Sequence, residues 1–208
     1  MKAPQQPAAR GRPRTITRER IADAGIEIGL PNITFVGVAA AMGVSHMALY
    51  KHVANLEALK ILVAEEIFQR WEIPQADADD NSDLKGYLLR FAASIQAFVK
   101  AHPGLTPYVI RRSVATESML AKIVSHQLHI ARGYTIAEQD ARWLLSTVAF
   151  HCFAVADTVY AVAGYASEVE AERLAEQAEM EAELAQGIHA LIVGALAMLE
   201  STAVDARY

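Results

Sequence analysis

Apolar residues recur at helical spacing along most of this chain, and the breaks in that recurrence divide it into a series of helices. Residues 1–16 are rich in Pro, Gln and Arg and carry no periodicity, so they read as a flexible arm. Thr17 is suited to cap a helix with Ile21, Ala24, Gly25 and Ile28 on one face, stopped by Gly29-Leu30-Pro31-Asn32. Thr34 then caps a short helix with Val38, Ala41 and Met42 inward. Ser45 caps another reaching His52, and Asn55 caps a fourth whose Leu59, Leu62, Val63 and Ile67 continue to Trp71 before Pro74. An acidic loop at 75–83 precedes a helix over 84–101 carrying Leu84, Leu88, Phe91, Ile95 and Phe98, closed by His102-Pro103-Gly104.

Beyond that, a short piece at 107–113 leads to a helix over 117–132, with Gly133 placed to end it in the left-handed conformation. Thr135-Ile136-Ala137-Glu138 reads as a capping box opening a long apolar helix to about residue 165. Ser167-Glu168-Val169-Glu170 reads as a second box, opening a helix acidic at first and apolar from Ile188 to Leu199. No stretch sustains period-two alternation, so the expected fold is all-α. The expected organisation is an arm at 1–16, a three-helix unit at 17–55, a connecting helix at 56–74 and a helical body at 75–208.

Composition narrows the class. Apolar residues make up 53% and charged residues 21% of the 208, which excludes a disordered chain. Uninterrupted apolar runs such as 147–156 are shorter than a bilayer requires, and no apolar run follows the N-terminal positive charge. The expectation is a cytoplasmic protein with no membrane partner. A single cysteine, Cys152, builds no disulfide framework and reads as a buried small residue.

The net charge of −5 conceals an asymmetry: residues 1–55 hold seven basic and three acidic side chains (+4), and the rest of the chain carries −9. Basic charge concentrated at one end of an acidic protein suits phosphate neutralisation, although a solvated basic tail gives the same count.

The second and third short helices, joined by a tight glycine turn, form a helix-turn-helix signature. Val38 packs the second helix, Ala39 is small enough for the third to cross it closely, Gly43 permits the turn, Val44 plugs the angle and Leu49 faces the core. Ser45, His46, Met47, Tyr50 and Lys51 are left outward, where a recognition helix meets the major groove. A purely structural helical hairpin has the same core pattern.

The run Thr34-x-x-x-Val38-Ala39-x-x-x-Gly43-Val44-Ser45-x-x-x-Leu49-Tyr50-x-His52-Val53-x-Asn55-x-x-Ala58-Leu59 resembles the DNA-binding domain of TetR-family transcriptional regulators. The Tyr-x-His-Val-x-Asn stretch is nearer the tetracycline-repressor branch, and the resemblance covers roughly residues 17–68. Gly133-Tyr134-Thr135-Ile136, with the long helix through Phe150 and Phe153, is similar to the start of that branch's dimerisation helix. The resemblance implies an all-α homodimer with a helical C-terminal domain for ligand binding and dimerisation, released from an operator by a ligand.

Two departures stand out against this family pattern. Leu56 stands where a phosphate-contacting Lys is frequent, and Phe35, Val36 and Gly37 stand where polar or basic residues are common. Direct readout then rests on His46, Met47, Tyr50 and Lys51, with Ser45 and His52 nearer the phosphates and Thr34 counted among the DNA-binding residues. Met47 is suited to a thymine methyl, and Tyr50 has a rival role as a hydroxyl donor to phosphate. Arg10-Gly11-Arg12-Pro13-Arg14 resembles an AT-hook, a narrow ribbon for an A·T-rich minor groove, and compensates for the missing cations.

In the C-terminal body, Phe91, Ile95, Phe98, Tyr108, Met119, His126, Trp143, Phe150 and His151 combine bulk with a few polar tips, as a site for a small apolar or aromatic effector does. His126 and His129 sit at i, i+3 and have the spacing to share a metal with His151, but no thiolate or carboxylate cluster accompanies them. No cofactor is implied, and the acidic run 168–183 reads as a solvated face. Ala149, Phe153, Ala156, Val159 and Tyr160 on one long helix, with Ile188, Leu191, Ile192, Ala195 and Leu199 on the other, suit a two-fold four-helix bundle with a second copy.

These readings converge on a dimeric DNA-binding regulator, a repressor released from a palindromic operator by a small molecule. The alternatives are a helical adaptor with a structural helix-turn-helix and a small hydrolase using Cys152 and a histidine. The chain has no Gly-rich phosphate loop, nucleophile elbow or paired catalytic carboxylates to support the latter.

Overall fold

The computed structural model describes residues 16–76, 83–162 and 170–205. In chain order they form α1 (Arg18–Ile28), a single 3-10 turn at Leu30–Asn32, α2 (Phe35–Met42), α3 (His46–Leu49), α4 (Leu56–Arg70), α5 (Leu84–Ala101), α6 (Thr106–Ile110), α7 (Glu117–Gly133), α8 (Glu138–Val162) and α9 (Glu170–Asp205). Among the described residues there is no strand, so the fold is all-α.

The four N-terminal helices begin where side chains can satisfy their orphan amides. Thr17, Thr34, Ser45 and Asn55 each accept from the backbone N–H three residues on, at 3.3, 3.0, 3.3 and 2.8 Å. Gly43 ends α2 with φ 68°, the left-handed turn expected of it. Its successor Val44 donates back to the Ala39 carbonyl at 3.0 Å, so the turn is closed by backbone bonds.

α1 lies across α2 and α4, and at Gly25 the approach is close: a Cβ there would stand 2.3 Å from Val63 Cγ2. Ile21, Val38, Leu49, Leu59 and Val63 fill the space between these helices. α4 then runs on to meet α6 and α7, while α5, α7 and α9 pack around α8. The buried side chains form one continuous apolar cluster from Ile21 to Ala195, so the N-terminal helices and the C-terminal body share a core through α4.

Several boundaries differ from the sequence expectation. The recognition helix is regular only to Leu49. Beyond it the chain turns tightly, with His52 N–H donating to the Leu49 carbonyl at 2.8 Å. Ala41 is exposed, and Ala39 takes the inward position beside Val38. α4 stops at Arg70, since Trp71 is already extended (ψ 121°), and the short piece expected at 107–113 is helical at Thr106–Ile110.

Gly133 does not end its helix in the left-handed conformation. α7 closes with Ile136 N–H on the Ala131 carbonyl (3.1 Å) and Thr135 N–H on the Arg132 carbonyl (3.4 Å), and Thr135 takes the positive φ of 54°. This pairing uses Thr135 to terminate α7, so it does not cap α8. The Ala137 carbonyl receives the first amides of α8 instead, from Asp140 and Ala141, both at 3.0 Å. The second expected box and the basic arm with Arg10, Arg12 and Arg14 lie outside the described residues, apart from Glu170, which begins α9.

α8 and α9 each contain a segment, Glu138–Tyr160 and Leu174–Ser201, long and apolar enough on average to cross a membrane. Uninterrupted apolar runs alone do not reveal this, because the average spans the polar breaks. The α9 segment is the less buried, 22% against 39% for α8.

Candidate nucleic-acid interface and ligand cleft

At the N-terminal end, the buried Val38, Ala39 and Leu49 fix α3 against α2, and half-buried Val44 sits at their angle. What remains outward is His46, Met47, Tyr50, Lys51 and His52, all exposed. Tyr50 is held by more than the backbone: its ring stacks on Phe35 at 4.2 Å with the planes 10° apart. Phe35 stands where the family resemblance expects a polar or basic residue, and its ring is the platform for Tyr50.

The surface beside this platform is partly apolar. Val36 and Met47 are 67% and 63% exposed, and Leu56 at the start of α4 is also exposed. Thr34 and Ser45 are exposed as well, but their side-chain oxygens are engaged as caps. Bound in this way they order the amides of two helix N-termini, which are suited to face phosphates.

In the C-terminal body, most of the expected ligand residues are packing. Phe91, Ile95, Phe98 and Met119 are buried in the common core, whereas Trp143 and Phe150 lie exposed on α8. Tyr108 and His151 are half-buried. Of that set, His126 alone lines a cleft of about 500 Å³ between residues 71–75 and α7. Its other walls are Trp71, Ile73, Lys122, Ser125 and His129, with exposed Glu72 and Gln75 beside them.

Two wall residues could not be read from spacing. Trp71, just past the end of α4, stacks on Phe98 at 4.6 Å and donates from Nε1 to Ser94 Oγ at 3.0 Å. A second cleft of about 360 Å³, with Phe98 and His102 in its wall, lies against the same indole. Lys122 looks like an ordinary helix-surface lysine in the sequence. Its Nζ instead donates to the carbonyls of Phe68, Gln69 and Trp71 at 3.0, 2.7 and 2.6 Å. The ammonium thus caps the carbonyl end of α4, where the helix dipole favours a cation. Burial pushes its pKa below the usual lysine value.

The chemistry of His126 follows from its partners. It is 8% exposed, and its Nε2 lies 2.7 Å from the Tyr87 hydroxyl, which is fully buried. Burial raises the Tyr87 pKa, so the phenol keeps its proton; burial, then the neighbouring His129 and Lys122, lowers that of His126 to about 4. The phenol has no other acceptor among the described residues, so it donates and the neutral imidazole accepts at Nε2. The ring proton is then on Nδ1, and Nδ1 is buried without a hydrogen-bond partner among the described residues. Such an orphan donor costs about 1–3 kcal/mol. His129 is arranged alike, its Nε2 accepting from Ala76 N–H at 3.2 Å.

Both rings are therefore engaged at Nε2, and the described residues contain no group of three His, Cys, Asp or Glu side chains suited to a metal. Cys152 is fully buried on α8 and its thiol is pushed up to about 12 by burial.

The apolar faces of the last two helices are divided differently from the sequence expectation. Phe153, Ala156, Val159, Ile188, Ile192 and Ala195 are buried inside the protomer, and Ala149, Tyr160 and Leu199 pack half-buried against the same core. Leu191 is half-buried too. The most apolar stripe of each helix faces its own chain, as the largest gain from burial requires. Trp143, Phe150, Leu174, Val193 and Met198 are the large apolar side chains exposed on these two helices.

The fold is thus all-α and in two parts, a capped helix-turn-helix at one end and a helical body joined to it through α4. Solved structures place it more narrowly. A variant of TetR from Acinetobacter baumannii AYE in complex with minocycline superimposes with a TM-score of 0.67 at 18% identity, over 89% of this chain and 99% of that one. A possible TetR-family transcriptional regulator from Streptomyces coelicolor A3(2) gives 0.67 at 19% identity, over 88% and 100%. ActR from Streptomyces coelicolor in complex with actinorhodin gives 0.62 at 18% identity, over 89% and 99%. The chain has the fold of TetR-family regulators. No family model and no curated protein matches its sequence.

Proposed function

We propose that this protein is a cytoplasmic, homodimeric transcriptional regulator, not an enzyme. In this reading it is a repressor that leaves a palindromic operator when a small molecule binds its C-terminal domain. The observation that carries the reading is the outward set His46, Met47, Tyr50 and Lys51 on a capped helix-turn-helix, with the chain's positive charge concentrated in residues 1–55. Two such units in a dimer would read successive major grooves about 34–36 Å apart. Thr34, Ser45 and His52 would lie nearer the phosphates, and Arg10, Arg12 and Arg14 would add minor-groove contacts.

The dimer face is assigned to Trp143, Phe150, Val193 and Met198, which with Leu174 are the large apolar side chains exposed on α8 and α9. A second copy in a two-fold bundle accounts for apolar surface on two helices that the protomer core does not bury. A small-molecule effector is supported by the cleft at Trp71 and by the fold's likeness to proteins solved with minocycline and actinorhodin. To shift operator occupancy from 99:1 to 1:99, the effector must prefer the released state by about 5.5 kcal/mol.

The test is selection of bound DNA from a random pool over a salt series. The expected result is an enriched palindrome whose affinity falls steeply with salt. Binding without sequence preference, or none, would replace this reading with the helical adaptor.

A further inference from the structure

The reading head is poor in the side chains that recognise bases by paired hydrogen bonds. No arginine stands between residues 21 and 69, and α2 and α3 contain no Asn, Gln, Asp or Glu. The bidentate contacts of Arg to guanine and of Asn or Gln to adenine are therefore missing from both helices. Outward polar groups are few: His46, Tyr50, Lys51 and His52, with the Ser45 oxygen engaged as a cap. What the head presents instead is apolar. Val36 and Met47 are the two most exposed large apolar side chains among the described residues. Met47 and Tyr50 are three positions apart, and Tyr50 keeps helical dihedrals (φ −60°, ψ −16°), so their side chains share a face. Val36 follows Phe35 on the first turn of α2, and the Phe35 ring stacks on Tyr50. The stack thus joins the start of α2, which carries Val36, to the end of α3, which carries Met47. No carboxylate occurs from residue 28 to residue 56, so this stretch holds no charge that repels phosphate.

We propose that the head reads its operator through thymine 5-methyl groups, with Val36 on α2 and Met47 on α3 as the contacting side chains. The inference rests on the DNA-binding reading above and names the class of sequence selected: half-sites whose register is fixed by thymine rather than guanine. The thymine methyl is the apolar group that B-DNA displays in its major groove, so it is the group an apolar head can match. Val36 thereby gains a specificity role, where the sequence alone marks it only as a missing polar contact. Met47 is unbranched and polarisable, and adapts to a methyl at more than one angle. Withdrawing one such methyl from water is worth a factor of about four in affinity. The AT-hook-like run Arg10-Gly11-Arg12-Pro13-Arg14 suits the same A·T pairs from the minor-groove side.

The experiment uses the full chain and the duplex most enriched from a random pool. Each thymine of that duplex is replaced in turn by deoxyuridine, which keeps every hydrogen-bonding group and lacks only the methyl. The expected result is a loss of about fourfold or more in affinity at one or more thymines of each half-site. In Val36→Ala and Met47→Ala, both at exposed positions that leave the core intact, the loss should shrink below twofold at the thymine each side chain meets. Equal affinity for the thymine and uracil duplexes at every position overturns the proposal and leaves the regulator standing. So do enriched half-sites without thymine, or a methyl effect unchanged in both variants, which would then act through DNA shape. A chain that enriches no duplex sinks the regulator and the proposal together, and assigns the apolar face to a protein partner of the helical adaptor.

Discussion

The Tyr87 hydroxyl donates to His126 Nε2 across 2.7 Å in the core beneath the cleft, so a phenol and an imidazole are both held neutral there. This bond has a pH signature. His126 titrates near 6.5 when unfolded and at about 4 in the folded chain, so the unfolded state takes up its proton first on acidification. The stability it contributes is complete above about pH 6.5 and is lost as pH falls toward 4, by roughly 3 kcal/mol at 1.36 kcal/mol per unit. Urea unfolding from pH 8 to pH 4 measures it, and His126→Gln should flatten that part of the curve.

Thr135 occupies a left-handed position, φ 54°, that closes α7 and that a β-branched side chain tolerates poorly. Thr135→Gly should therefore raise stability by about 1 kcal/mol, or about 2–4 °C in Tm for a chain of this size. A lower Tm would show that the Thr135 side chain contributes more than its backbone costs.

Gly25→Ala should destabilise by about 1–3 kcal/mol, because its Cβ would meet Val63 Cγ2 at 2.3 Å between α1 and α4. Gly25→Ala with Val63→Ala should recover part of that loss. A double-mutant cycle in denaturant reads the coupling, and simple additivity would refute the close contact.

Lys122→Met should cost about 1.5–3 kcal/mol, since it removes charged hydrogen bonds to Phe68, Gln69 and Trp71. Lys122→Arg keeps the charge but not the compact three-donor geometry and should fall between the two. Thermal unfolding of the three proteins ranks them.

Deleting residues 2–15 removes Lys2, Arg10, Arg12 and Arg14. If these neutralise phosphates, the slope of log affinity against log salt should shallow by about 0.9 for every phosphate that is no longer neutralised. An unchanged slope would mean that the arm stays off the DNA.

The N-terminal half of the fold was legible because its signals are local. Thr17, Thr34, Ser45 and Asn55 are caps that the next three residues complete, and Gly43 is needed wherever the turn is made. The cleft was not legible because it is made by residues about fifty positions apart. Nothing near Lys122 in the sequence indicates that it will find the end of α4, and Trp71 looks like the last turn of a helix. The apolar stripes of α8 and α9 gave a third outcome. Periodicity identifies the face that is buried, but Phe153 and Ile192 are covered by their own chain, and only three dimensions reveal that.

Cys152 adds an experimental consequence. It is the chain's one thiol, lies fully out of reach of solvent, and is held protonated by a pKa pushed up to about 12. A maleimide or spin label should therefore pass it by, and no cysteine-free background has to be built. Met47→Cys, on the exposed side of α3, would then carry the only probe. In a dimer, the dipolar coupling between two such probes becomes a direct ruler for the spacing of the reading heads, with and without a bound effector.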